Sequence, residues 1–183
     1  MKNQSFAFSL LVACGLGLAA CVPGQPDTRI SNNYQAPVTA VATPVNIRAI
    51  CYEDPDLSAF RVRMVQLQLV VGALHCKGAD GKLLFDKKYG TFVAKFQSEL
   101  SSNSMEMQSL TARKKANLDV MVTEIANRTA QQPVHDPAFC SRHQRALEWA
   151  LQAQVTSLKD VPSPYDLGPE MKIFPCRGVS DLA

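Results

Sequence analysis

The sequence predicts an all-α fold: a disulfide-stapled bundle of four or five helices with an irregular C-terminal tail. Three observations predict it. Apolar residues recur at three- and four-residue steps in successive stretches, the period of a buried helix face. Aromatic residues and β-branched runs are sparse, which works against sheets. Beyond residue 50 stand Cys51, Cys76, Cys140 and Cys176, an even set that can pair in an exported domain.

The chain divides into three parts. Residues 1–20 begin with one charged residue, Lys2, and continue as an apolar run from Phe6 to Leu18. As a helix that run reaches only about 20 Å. A membrane span needs roughly 20 apolar residues, so the run reads as a secretory leader. It ends in Leu18-Ala19-Ala20-Cys21. This tetrapeptide resembles the lipobox of bacterial lipoproteins. The resemblance implies cleavage before Cys21, with a diacylglyceryl thioether and an N-acyl chain on that residue. Several acyl chains give stable anchoring where one gives marginal binding. Lipoproteins kept at the inner membrane carry Asp at the next position. Val22 therefore implies the outer membrane, with the domain facing the periplasm. The competing reading is an ordinary signal peptide cut after Ala20, leaving Cys21 a free thiol.

Residues 21–50 hold Pro23, Pro26, Pro37 and Pro44 and show no helical period. Proline favours extended chain, so this part reads as a tether. An edge strand at 38–47 is the alternative, and Pro44 counts against it. Residues 51–183 form the helical domain.

Asp54-Pro55-Asp56 opens the first helix, 57–77, with a proposed stripe through Leu57, Phe60, Met64, Leu67, Val71 and Leu74 and a cap at Gly78. Arg61, Arg63, Gln66 and Gln68 interrupt it and oppose a membrane location. Phe85, Tyr89, Phe92, Val93, Phe96 and Leu100 mark the second helix. Ser101-Ser102-Asn103-Ser104 is expected to break it. A third helix should run from Met105 to about Ala130, with a kink or split at Lys114-Lys115. Asp136 is placed to cap a fourth, carried by Phe139, Leu147, Ala150, Leu151, Val155 and Leu158. Four prolines from Pro162 to Pro175 make the tail irregular. Fragments such as Leu74-x-Cys76, Phe92-Val93-x-x-Phe96, Asn127 and Phe139-Cys140 resemble small helical exported proteins of Gram-negative bacteria. No activity is attached to that resemblance.

Geometry selects among cysteine pairings. The first helix is about 30 Å long. The residues from Cys51 to its start reach about 20 Å at most. Disulfide Cα atoms lie within about 7 Å, so Cys51 cannot reach Cys76. In an up-down-up-down bundle the first helix ends where the fourth begins. Cys76–Cys140 and Cys51–Cys176 follow. If the third stretch folds back at Lys114-Lys115, Cys51–Cys140 becomes open.

Candidate chemistry is thin. His75-Cys76 and Cys140-x-x-His143 could meet as a tetrahedral zinc set. Export to an oxidising compartment favours the disulfide instead, so no metal or other cofactor is expected. Met105 and Met107 could serve Cu(I), but residues two apart on a helix face different ways. Arg113-Lys114-Lys115 could touch anionic lipid or polymer; a solvated helix face is the plainer reading. Nucleophile elbows, Ser-x-x-Lys, His-Glu-x-x-His and phosphate loops are missing from the sequence. Glu99, Glu106, Glu124 and Glu148 need distances before any pairing can be assigned. The net charge of +3 gives no footprint for nucleic acid. The expected role is a lipid-anchored envelope protein that is structural or docks another envelope protein or polymer. A small-ligand or metal-binding module is the alternative, and a hydrolase of envelope polymers the third.

Overall fold

The computed structural model describes residues 30–38 and 50–176. The leader, Cys21 and most of the tether lie outside the described residues. Five α-helices carry the fold: α1 Asp54–His75, α2 Asp86–Lys95, α3 Gln97–Lys114, α4 Leu118–Gln131 and α5 Phe139–Ala150. Short 3-10 turns stand at Gln132–Val134 and Leu158–Asp160. Four very short strands form two parallel pairs. β1 (Ala36–Pro37) pairs with β3 (Tyr165–Asp166), and β2 (Ile50–Tyr52) with β4 (Ile173–Pro175).

α1 is the axis. Asp54 and Asp56 complement the dipole at its start, and Pro55 occupies the first turn. Its length and composition would allow a membrane span. Here it lies among α3, α4 and α5 and buries Ala59, Phe60, Val62, Val65, Leu69 and Ala73 on several sides. The stripe expected from spacing is therefore only half right. Phe60 and Met64 are buried, but Leu74 is 64 % exposed and Gln68 is fully enclosed. A helix surrounded by others has no single inner face. The helix ends at Cys76, in extended conformation, and Gly78 belongs to the following turn.

The second and third helices are divided differently from the expectation. The Ser101–Ser104 stretch stays helical inside α3. Buried Asn103 donates through its side chain to the Ala59 carbonyl at 2.8 Å, and Ser104 Oγ accepts from Arg63 at 3.0 Å. These contacts with α1 outweigh the weak helix preference of Ser and Asn. The chain bends at Phe96 and reverses at Lys115, whose φ of 51° is left-handed. Asn117 then caps α4 by accepting from Val120 N–H at 3.1 Å. α2 and α3 together form one descending arm, and α4 ascends. The order up-down-up-down survives because one reversal was moved and none was added.

Both expected disulfides are present. Cys76–Cys140 joins the end of α1 to the start of α5, and Cys51–Cys176 joins β2 to the chain just after β4. They bridge 64 and 125 residues of sequence, worth roughly 4 kcal/mol each in the chain-entropy model. The fourth predicted helix stops at Ala150. Val155 and Leu158 still reach the core, from a loop and a 3-10 turn. The tail also buries Val161, Tyr165, Leu167, Met171 and Ile173, so it is irregular in backbone but part of the core.

Residues 30–38 correct the tether reading where they can be seen. Tyr34 is fully buried. Its hydroxyl donates to the Pro162 carbonyl at 2.7 Å, and Ala36 N–H donates to the Pro164 carbonyl at 2.9 Å. A phenol and a backbone amide gain partners here, so this part of the expected spacer is a strap across the tail.

Candidate functional site

A polar cluster links the strap, α1, α5 and the tail. Gln68, in the middle of α1, faces Tyr165 of β3. Its amide nitrogen donates to the Tyr165 carbonyl at 2.9 Å, and its amide oxygen accepts from Tyr165 N–H at 2.8 Å. The side chain thus serves as a strand partner for a tail segment enclosed in the core. Without it, two buried backbone groups would lack partners.

Tyr165 continues the cluster. Its hydroxyl donates to Asp136 Oδ2 at 2.7 Å. The same oxygen accepts from Arg142 Nε at 2.7 Å, while Asp136 Oδ1 accepts from Ala138 N–H at 2.8 Å. Asp136 was expected as a cap, and it does serve the turn that opens α5. Arg142 reaches further and donates to the Tyr34 carbonyl at 2.7 Å. One guanidinium therefore ties the strap to the carboxylate that holds the tail.

His143 lies beneath these residues, fully buried. Gly72 makes room for it. A Cβ on Gly72 would come within 2.2 Å of the imidazole, so α1 and α5 touch backbone to ring. Nδ1 is 2.7 Å from the Phe139 carbonyl. Nε2 has no hydrogen bond of good geometry, although the Gln68 carbonyl lies close enough to favour a proton. The ring stacks with Phe139 at 4.1 Å, and Phe139 meets His75 at 5.2 Å.

Burial sets the electrostatics. It lowers the His143 pKa to about 4; the Phe139 and Gln68 carbonyls oppose that shift, His75 adds to it, and Asp136 opposes it. The imidazole is neutral at neutral pH. Burial pushes the Tyr165 phenol well above its ordinary range, helped by Asp136. Burial also pushes Asp136 up, but bonds from Arg142, Tyr165 and Ala138 outweigh it and hold the carboxyl below its usual value. A neutral imidazole, a protonated phenol and an ionised carboxylate, all engaged and enclosed, brace the fold. Neither His143 nor Tyr165 is open to a substrate.

The zinc candidates are placed together, and the disulfide favoured from sequence is what their cysteines form. Cys76 and Cys140 are bonded to each other, His143 is walled in, and His75 stands exposed beside Phe139. Among the described residues no group of three or more His, Cys, Asp or Glu could hold a metal ion. Met107 is buried and Met105 is 64 % exposed, one methionine inside and one outside. Of the basic cluster, Arg113 pairs with Asp56 at 2.6 Å and Lys114 donates to the Cys51 carbonyl at 3.0 Å. Three of the glutamates have partners of their own, and Glu106 lines a groove beside the start of α1. Glu99 accepts from Ser157 Oγ and Leu158 N–H, Glu124 faces Arg128 at 3.4 Å, and Glu148 pairs with Lys88 at 2.6 Å.

Gln68, Tyr165, Tyr34 and Arg142 were not singled out from sequence as a site. One signal was available: an amide amid an apolar helix, as at Gln66 and Gln68, is either exposed or paired. The partner of Gln68, a backbone unit some hundred residues away, has no signature in sequence. Comparison of the chain with protein-family models, with curated proteins and with solved structures finds no match.

Proposed function

We propose that this chain is an exported, lipid-anchored envelope protein whose helical domain is a rigid docking module rather than a catalyst. One observation carries the reading. The buried polar groups and both disulfides cross-brace distant segments, while apolar side chains remain outside at the Cys76–Cys140 end. Leu74 precedes that disulfide, Leu84 N–H is bonded to the Cys76 carbonyl, and Val134 lies on the turn leading to α5. Leu74, Leu84 and Val134 are each more than half exposed. Met105 and Phe174 are exposed beside the start of α1 as well; the group beside Cys76–Cys140 is the one proposed to contact another envelope protein. Disulfides support an oxidising compartment. The address itself rests on Leu18-Ala19-Ala20-Cys21.

Site-specific photo-crosslinking in intact cells tests the module. Probes at Leu84 and Val134 should give a discrete adduct, and a probe at Ser101, on the exposed side of α3, should give none. Equal labelling at all three positions would remove the docking reading.

A small-ligand module is the second reading, favoured by a groove of about 430 Å³ between the start of α1 and α3. Asp56, Ala59, Met105, Leu110, Arg113 and Lys159 are among its lining residues. Such a groove would suit a small polar molecule.

A further inference from the structure

We propose that the docked strap 30–38 shortens the leash between lipid and domain, so that the strap-bearing face of α5 and the tail is kept within about 30 Å of the bilayer. This rests on the reading of Cys21 as the acylated residue. From Cys21 to Ile50 the chain could stretch about 100 Å, enough to let the domain roam. From Cys21 to Ile30 it reaches about 30 Å at most. For scale, α1 is about 33 Å long.

Which of these lengths applies depends on whether the strap is fixed. Hydrogen bonds to the tail and to α5 hold it. Tyr34 gives its hydroxyl to Pro162 and receives Arg142 at its carbonyl; Gln35 donates to the Ser163 carbonyl, and Ala36 N–H to Pro164. The fully buried Tyr34 ring adds apolar contact to that hold. The leash therefore ends at the strap, and residues beyond it add no reach.

The charge on this face says how it meets the lipid. Arg61 and Lys159 line a groove beside Gln35, together with Asp160 and Asp166. These four charges balance, and Arg145 of α5, whose charge reaches the Tyr34 phenol, adds a cation to the face. Attraction to anionic headgroups is thus modest, and the covalent anchor enforces proximity.

The single Trp of the chain, Trp149 on α5, is a built-in reporter. The acylated full chain is placed in phosphatidylethanolamine–phosphatidylglycerol vesicles carrying a dansyl headgroup lipid, and energy transfer from Trp149 is read. A Gly/Ser insertion of about a dozen residues after Pro26 adds roughly 20 Å to the leash, and transfer should fall at least about two-fold. The same insertion after Ala40, beyond the strap, should leave transfer unchanged. Tyr34→Ala should make the two insertions equivalent. Equal losses from both insertions in the otherwise unchanged chain would overturn the short leash. The mass of the N-terminal peptide separates the two readings. An unmodified Cys21 removes the anchor and the leash together. An acylated chain with equal losses removes the leash alone.

Discussion

Two corners of this molecule each join a carboxylate to an arginine, and they behave differently. At the start of α1, the buried Asp56 carboxylate meets Arg113 at 2.6 Å and Lys114 at 4.0 Å, with the Arg113 side chain 56 % exposed. At the start of α5, Asp136 meets Arg142 at 2.7 Å, with both side chains mostly covered. The first pair is an edge contact between two helices. The second also accepts the Tyr165 hydroxyl and extends to the Tyr34 carbonyl. The charges are alike. What differs is how many enclosed groups depend on each pair, and that decides the cost of breaking it.

Breaking the enclosed corner should have the largest effect. Gln68→Leu keeps the bulk but leaves the Tyr165 N–H and carbonyl without partners. Each such group costs about 1–3 kcal/mol, so a loss of roughly 3 kcal/mol is expected in urea denaturation, with the slope unchanged. A loss under about 1 kcal/mol would mean that the tail finds other partners.

Acid should act on the same corner through His143. Its folded pKa of about 4 lies below the unfolded value near 6.5. The unfolded chain then binds more protons between those values, so stability falls as pH drops through that window and is unaffected above it. The span corresponds to about 3 kcal/mol at full effect. Asp136, also held low in the folded state, extends the decline to more acid pH. Denaturation midpoints at intervals from pH 7.5 to 4 check this, and His143→Gln should flatten the upper part of the curve.

The α1 corner should give the smallest change, because Arg113 can turn to water and asparagine keeps a buried acceptor in place. Asp56→Asn is expected to cost about 1 kcal/mol or less, and added salt should shrink the difference further. A cost as large as that of Gln68→Leu would erase the contrast between the two corners.

Local patterns already carried several features. Helical spacing, Pro55 with its flanking aspartates, and the even cysteine set are short-range or countable properties. They led to an all-α bundle and to both disulfides. The pairing came out right although a helix boundary was misplaced. Ser101–Ser104 reads as a break because Ser and Asn favour non-helical backbone when nothing else engages them. In the fold Asn103 is engaged by Ala59, a partner in another helix. The cysteines depend only on the number of chain reversals between them, and the move from 101–104 to 115–117 preserved that number.

By itself, then, the sequence determined the helical class and the bridging cysteines. Tertiary structure alone decided that part of the expected spacer lies down as a strap, that Gln68 serves as a strand edge for the tail, and that His143 fits only because Gly72 has no side chain. Periodicity and propensity act between near neighbours along the chain. A buried amide, a phenol or an imidazole is satisfied by whatever packing brings to it, and that meeting has no local code.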